Sequence, residues 1–413
     1  MSFLRDLPYF FVGLASEKLN LMDEATAPAA TPAGGSRVLA EYAVSNADQI
    51  AAAMAAPAVT QPKPEHFDAI LLLAHGTPDV LGEMDAYLKL VTGGRGVPPH
   101  VVHELQERYA EIGLRDEPTA EGPHLTRWTL RQAELLHERI VTPVYVGMRN
   151  WKPFIHDTVQ QMKDAGVKTV RAICLAPQNS RTSVGLYRRA LETAADGAFD
   201  IDFVAGWSEH TLLIRAFAER LRKALELAPQ GKKTAVLFTA HSVPCRTIQA
   251  KPTEHHGMML TTEADTYAVE CKKTAALIAA ELGDAVPEWY FCFQSQGVSG
   301  GPWIGPSVED TLASLRDAGY EHVVLHVVGF LCDHVEILYD IDIAFQKTAQ
   351  ELGITLSRPE SLNDSPTLIA ALADVARRGA RSLPVHERAP VTREAELVQV
   401  LAPVDEPAEQ AAV

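Results

Sequence analysis

The chain has 413 residues, of which 47% are apolar and 22% are charged, a composition typical of globular proteins. This length exceeds one ordinary hydrophobic core and predicts two domains with additional segments. The net charge of −16 argues against a nucleic-acid partner, because phosphate binding requires a basic face.

The first 64 residues are predicted to form an N-terminal extension that is largely linker. Residues 25–35 and 51–64 are rich in Ala and Pro and cannot build a core. The apolar run at 8–15 is too short for a bilayer span and has no clean cleavage site after it. We therefore expect no transmembrane segment, although a weak contact of this run with a membrane surface stays open.

Seven apolar segments with strand character follow, separated by longer segments with helical periodicity. They lie at 69–74, 142–146, 169–176, 201–205, 234–239, 288–293 and 322–328. Between the fourth and fifth segments, Leu or Phe recurs every four residues over 213–225, which predicts a buried helix face. The alternation predicts an α/β protein with two Rossmann-like domains, each a parallel sheet flanked by helices. The predicted domains are 65–205 and 206–384, and residues 385–413 are predicted to be a flexible tail.

Open parallel sheets bind ligands beyond the carboxyl ends of their strands. His241 follows the fifth apolar segment, and a neutral imidazole is well suited to accept a proton or bind a metal near neutral pH. A single histidine at a strand end is more often structural. Here Pro244 stiffens the turn and Ser242 adds a second polar group, so we favour a functional role.

Acidic side chains follow the last apolar segment. Asp333, Glu336 and Asp340 are spaced three and four residues apart, which predicts one stripe on a helix. Such a stripe usually faces solvent, but here it begins at the end of a strand and is predicted to point into the cleft. Clustered carboxylates repel one another and raise an apparent pKa, which suits proton transfer or guidance of a cation.

Several arginines are candidates for binding an anionic ligand. Arg149 lies at a strand-to-helix junction, where a guanidinium can bind a carboxylate in bidentate fashion or form a structural ion pair. Arg181 follows another strand end, and Arg95 lies in a glycine-rich loop, where a solvated role is the simpler interpretation. The Gly-rich segment 297–303 lacks the Lys-Ser/Thr of a phosphate loop. We interpret it as a tight loop that lets backbone approach a flat ligand, with Trp303 as a wall.

Cysteine and histidine spacing indicates no resident metal centre. The five cysteines include no C-x-x-C pair, which indicates a reducing compartment, a cytoplasmic location and no iron–sulfur cluster. Within 251–262, two histidines and two methionines lie close together, and a mobile loop is favoured there over a metal-transfer segment.

The ordered set of motifs resembles the ferrochelatases, which insert ferrous iron into a porphyrin during haem synthesis. The specific segments are Thr-Ala-His-Ser-Val-Pro at 239–244, Gln-Ser at 294–295 with Pro-Trp-Ile-Gly-Pro at 302–306, and Gly-Phe-Leu-Cys-Asp-His-Val-Glu-Ile-Leu-Tyr-Asp at 329–340. Weaker matches are Ala-His-Gly-Thr-Pro at 74–78, Val-Gly-Met-Arg at 146–149 and Arg-Pro-Glu-Ser-Leu-Asn at 358–363. The resemblance covers about residues 65–384 and is greatest with the bacterial branch.

The resemblance implies the class II chelatase fold and a catalytic, metal-binding pair, His241 and Glu336, facing each other across the porphyrin plane. It places Arg149 near a propionate. From the residue patterns we also expect Arg95, Arg181 and Trp303 to contact the porphyrin, and His334, Asp340 and Ser242 to support the catalytic pair.

The implied partners are a porphyrin and ferrous iron, the latter as a substrate, with no required cofactor. Protoporphyrin IX and coproporphyrin III both stay open as the substrate. Two alternatives also stay open: a cobalt or nickel chelatase for another tetrapyrrole, and a porphyrin- or haem-binding protein without activity.

Overall fold

The computed structural model describes residues 66–248, 252–255, 258–261, 265–297 and 302–379. The predicted N-terminal extension and C-terminal tail lie outside these residues. Among the described helices, none combines the length and apolarity that a bilayer span requires.

The first sheet is parallel and four-stranded, in the order β2-β1-β3-β4. Its strands are β1 (Ala69–Ala74), β2 (Val144–Met148), β3 (Thr169–Cys174) and β4 (Asp200–Val204). All six residues of β1 are buried, because both faces of the sheet are covered by helices. This explains why the strand reads in the sequence as an uninterrupted apolar run.

The second large sheet is also parallel and four-stranded, and a small hairpin precedes its second strand in the sequence. In chain order the strands are β5 (Thr234–His241), β6 (Pro252–His255), β7 (Met258–Thr261), β8 (Trp289–Gln294), β9 (His322–Val327) and β10 (Thr355–Ser357). The order of the large sheet is β10-β9-β5-β8, while β6 and β7 pair antiparallel with each other. The hairpin replaces part of the loop predicted at 251–262, and β10 was not predicted because a three-residue strand is too short to form an apolar run.

Helices cover both faces of the two large sheets. They are α1 (Met84–Val91), α2 (Pro99–Glu111), α3 (His124–Arg139), α4 (Ile155–Asp164), α5 (Val184–Ala195), α6 (Thr211–Glu226), α7 (Cys245–Ile248), α8 (Tyr267–Leu282), α9 (Val308–Asp317), α10 (Val335–Leu338), α11 (Gln346–Leu352) and α12 (Pro366–Arg378). Short 3₁₀ helices occupy Leu81–Glu83 and Gly283–Ala285, and a π-helix occupies Asp340–Phe345 between α10 and α11. This arrangement confirms the predicted fold class of two parallel sheets flanked by helices.

The C-terminal helix joins the two sheet units. Helix α12 packs against both α6 and α3. Arg171 of β3 donates a 2.9 Å hydrogen bond to the carbonyl of Ala376 and is paired with Asp202 of β4 at 2.6 Å. Helix α12 therefore connects the first sheet with α6, which follows that sheet in the chain.

Candidate active site

The carboxyl ends of the two large sheets open into one cleft. Its walls come from the loop after β1, the segments at 109–114 and 119–125, and residues 329–336 after β9. The cleft contains about 1450 Å³ of empty space when the solvent-filled region at its mouth is included. The carboxyl ends of parallel strands are where open α/β sheets bind ligands, so this cleft is the candidate ligand site.

His241 is the last residue of β5 and lies at the base of the cleft. The residue is 2% exposed, and its Nδ1–H donates a hydrogen bond to the carbonyl of Ser242. Only the ring nitrogen can be the donor, because a carbonyl oxygen only accepts. The Tyr267 hydroxyl donates to the His241 carbonyl at 2.9 Å. These contacts fix the ring so that Nε2 points away from the strand.

Glu336, in α10, lies between two imidazoles. Its Oε1 is 3.2 Å from Nε2 of His241, and its Oε2 is 3.3 Å from Nε2 of His334. The Nδ1–H of His334 donates to the carbonyl of Cys332 at 2.9 Å. Both imidazoles therefore carry a proton on Nδ1 and present Nε2 to the same carboxylate.

This arrangement requires the site to hold a proton on one of the facing atoms. A neutral Nε2 and an ionised carboxylate are both acceptors, so the 3.2 Å contact between His241 and Glu336 is favourable only with a proton on one of the two groups. Burial disfavours the charged form of both groups. Their mutual attraction outweighs burial, so the pKa of His241 is raised and that of Glu336 is lowered. The resting pair is an imidazolium and a carboxylate.

Asp340, at the start of the π-helix, is buried near Glu336. Burial, supported by the negative charge of Glu336, raises the pKa of Asp340 to about 7. Its carboxylate accepts a 2.6 Å hydrogen bond from Ser295 Oγ. The guanidinium of Arg108 lies 4.9 Å from the centroid of the adjacent Tyr339 ring and holds α2 against this segment. The expected rise in pKa therefore occurs at Asp340, but not at Glu336, which has two imidazole partners.

Arg149 lies just beyond β2, and its backbone N–H donates to the carbonyl of Ala74 at 3.0 Å. Within the described residues, its Nη2 atom is buried without a hydrogen-bond partner. The guanidinium lies close enough to affect the pKa of both His75 and Tyr187, which line the cleft. A buried guanidinium nitrogen without an acceptor is costly and is suited to an anionic ligand group.

His75 and Tyr187 are cleft residues to which the sequence patterns assigned no role. The Nδ1–H of His75 donates to the carbonyl of Gly76 at 3.0 Å, and its Nε2 accepts from Asn150 Nδ2 at 2.8 Å. Burial and the charge of Arg149 lower the pKa of His75 to about 3. His75 is therefore a neutral wall of the cleft rather than a base. Its position directly after β1 was the available signal.

Six predicted site residues lie outside the cleft lining of the described chain: Arg149 and Asp340, already described, and the four that follow. Arg95 and Arg181 are exposed, and Arg95 donates from Nε to the carbonyl of Thr92 at 3.1 Å. Trp303 is half-buried and forms an isolated bridge with Pro244. Ser242 is fully buried and donates from Oγ to the carbonyl of Ile304 at 2.7 Å, so it stabilises the turn after β5.

The predicted acidic stripe is wrong for Asp333, which precedes α10. Its carboxylate accepts hydrogen bonds from Ser361 Oγ at 2.6 Å and Asn363 Nδ2 at 2.9 Å. The stripe is broken because helical geometry begins only after His334. Asp333 anchors the loop that follows β10, while Glu336 alone points at His241.

The expected placement of His241 and Glu336 on opposite sides of a flat ring is also wrong for this structure. Their nearest atoms are 3.2 Å apart. A ring between them would need about 7 Å, twice the usual contact distance of about 3.5 Å. The two groups therefore lie on the same wall of the cleft as one unit.

Comparison with known proteins agrees with the motif resemblance. The family model for ferrochelatase matches residues 67–380. The chain is 55% identical to a protein named ferrochelatase from Acidobacterium capsulatum, over 77% of this chain and 96% of that one. It is 36% identical to the ferrochelatase of Deinococcus radiodurans, over 75% of this chain and 95% of that one. It is 31% identical to the coproporphyrin III ferrochelatase of Geobacillus kaustophilus, over 74% of this chain and 94% of that one.

Proposed function

The chain belongs to the ferrochelatase family, whose members insert Fe(II) into a porphyrin in haem synthesis, and we propose that His241 and Glu336 are the residues that carry out this reaction here. The observation that carries the proposal is the 3.2 Å contact between Nε2 of His241 and Oε1 of Glu336 in the lining of the cleft. Fe(II) is a substrate in this scheme, and no resident cofactor is required.

Arg149 is proposed to bind one carboxylate of the porphyrin. Its buried Nη2 atom has no acceptor among the described residues, and the porphyrin carboxylate would supply one. Arg181 is exposed but lies between Ser180 and Ser183, both of which line the cleft, so it remains a predicted partner for a second carboxylate. Protoporphyrin IX and coproporphyrin III both carry such groups, and either fits this part of the proposal.

The metal step is proposed to use Nε2 of His241 and the carboxylate of Glu336. Imidazole and carboxylate ligands suit a divalent first-row metal. In the described part of the chain, no group of three or more His, Cys, Asp or Glu side chains is arranged to hold a metal ion. A site with few protein ligands holds the ion weakly, which allows transfer to the ring instead of trapping. Metal binding would also expel the proton that the pair shares at rest.

Insertion of Fe(II) releases two pyrrole protons, and a histidine–carboxylate–histidine chain is proposed to remove them. His241 accepts a proton at Nε2 only after its own proton has passed to Glu336. From there the proton passes to Nε2 of His334, which is 3.3 Å from the other carboxylate oxygen, and the partly exposed His334 would release it to water before the second pyrrole proton follows. Asp340, whose pKa is about 7, can exchange protons close to neutral pH and is proposed to support this transfer.

The closing test is anaerobic incubation of the protein with Fe(II) and, separately, protoporphyrin IX or coproporphyrin III, followed by absorbance. Insertion into one of the rings supports the proposal and identifies the substrate. His241→Ala and Glu336→Gln should each abolish insertion while the ring still binds. Near-normal turnover by either variant would reject its assigned role. Ring binding without insertion, or insertion of only Co(II) or Ni(II), would favour the two alternative functions.

We propose that the reaction takes place in the cytoplasm. All five cysteines are described, and none forms a disulfide. Free cysteines are typical of a reducing compartment.

A further inference from the structure

Gln294 connects the two residues of the proposed metal site. It ends β8 and lies beside His241 in the parallel pairing of β5 with β8. Its carbonyl accepts a 2.7 Å hydrogen bond from the backbone N–H of Ser242. Its side-chain Nε2 donates a 2.8 Å hydrogen bond to the carbonyl of Glu336. One residue thus holds the backbone next to His241 and the backbone of Glu336.

The second contact lies where the backbone changes its helical geometry. Glu336 belongs to the four-residue helix α10, and the π-helix begins at Asp340. A single short turn fixes few backbone angles by itself. The side chain of Gln294 therefore supplies a constraint on Glu336 that the helix alone does not provide.

The burial of Gln294 has a cost that packing does not explain. The residue is 1% exposed, and its Oε1 atom has no hydrogen-bond partner among the described residues. An unsatisfied buried carbonyl costs about 1–3 kcal/mol, so an apolar side chain of similar shape would be tolerated better at a purely structural position. The amide is explained instead by its donor, Nε2, because this atom reaches the backbone of Glu336.

We propose that Gln294 is a positioning residue that sets the separation of His241 and Glu336 and thereby the affinity of the site for a divalent metal. This inference rests on the proposed function. Groups that orient metal ligands typically change metal affinity by about 10- to 100-fold when they are removed. The bound porphyrin need not contact Gln294, so its binding should not depend on this residue.

The test uses the full-length protein and Co(II), whose visible absorbance reports the geometry of its ligands. Gln294→Met should weaken Co(II) binding by about 10- to 100-fold and change its spectrum, while the KM for porphyrin stays within about twofold. Gln346→Met is the matched control, because Gln346 also donates from Nε2 to a backbone carbonyl, that of Leu356 at 3.3 Å, in the same sheet unit. This control should leave the Co(II) affinity unchanged.

If Gln294→Met does not fold, Gln294→Glu keeps the shape but loses the amide donor, and it should also weaken Co(II) binding. A folded Gln294 variant with wild-type Co(II) affinity and spectrum would overturn this inference alone. Wild-type protein that neither binds Co(II) nor inserts a metal would overturn the proposed function itself, and the two failures are thereby distinguished.

Discussion

The backbone nitrogen of Trp151 lies 2.7 Å from the position that a Cβ atom on Gly76 would occupy. Gly76 has a φ of +91°, a conformation that other residues rarely adopt. The loops that follow β1 and β2 therefore cross in direct contact at this glycine. Because His75 precedes it and Arg149 lies in the facing loop, the contact fixes one wall of the cleft.

Gly76→Ala should destabilise the protein much more than Gly94→Ala, although the two glycines have nearly the same φ. Gly94 has a φ of +90°, and a Cβ added there would meet nothing within 4 Å, so its substitution isolates the conformational cost of about 1–2 kcal/mol. Gly76→Ala adds a clash with backbone atoms, and we expect about 1–3 kcal/mol more. Urea unfolding of both variants measures the difference, and equal free energies of unfolding would show that the loops separate freely.

Arg149→Ala should weaken porphyrin binding by about 10- to 100-fold, because a charge-assisted hydrogen bond contributes about 1.5–3 kcal/mol. Its Nη2 atom is already buried without an acceptor among the described residues, so removing the side chain should not destabilise the free protein. Fluorescence quenching of a porphyrin measures the Kd. Arg95→Ala and Arg181→Ala serve as comparisons, and their effects should be smaller because both side chains are exposed. A larger effect at either position would place the carboxylate elsewhere.

Asp340→Asn should stabilise the protein at alkaline pH. The pKa of Asp340 is raised from 3.8 to about 7 in the folded state, chiefly by burial. A raised pKa contributes stability that is present below the unfolded value and is lost as pH rises through the folded one. Relative to asparagine, the aspartate should therefore lose up to about 4 kcal/mol between pH 4 and pH 8. Urea unfolding across this range measures the trend, and a constant difference between variant and wild type would refute the raised pKa.

The strands were predictable because their burial leaves a simple pattern. Every residue of β1 is buried, so its bounds follow from the apolar run alone. The location of His241 and Glu336 at one edge of a sheet was likewise predictable, because both follow strands. Their direct contact was not, since it depends on β5 lying beside β9, and local sequence does not determine strand order.

The error at Asp333 has a similar cause. Its partners, Ser361 and Asn363, lie about 30 residues further along the chain, so their approach depends on how the chain returns after β10. Helical spacing predicted a continuous stripe from Asp333 to Asp340. The observed backbone instead begins α10 after His334 and changes to a π-helix at Asp340. Periodicity assumes a regular helix and cannot detect such a change.

Glu336→Gln should lower stability most between about pH 4.5 and pH 6.5. The lowered pKa of Glu336 gives stability that is present above its unfolded value of 4.5 and is lost as pH falls through the folded value. The raised pKa of His241 gives stability that is present below its unfolded value of 6.5 and is lost as pH rises through the folded value. Both contributions are complete only in the window between the unfolded values, where removal of one partner of a buried pair should cost about 3–5 kcal/mol.

The same urea experiment provides the control, because the neighbouring substitution Asp340→Asn should show the opposite sign. Asp340→Asn becomes increasingly favourable as pH rises from 4 to 8, whereas the deficit of Glu336→Gln is greatest near pH 5–6 and shrinks as pH rises from 6.5 through the raised pKa of His241. A deficit that stays constant from pH 5 to pH 8 would mean that the imidazole of His241 is neutral throughout. The pKa of His241 would then not be raised by Glu336, and the resting site would hold no imidazolium.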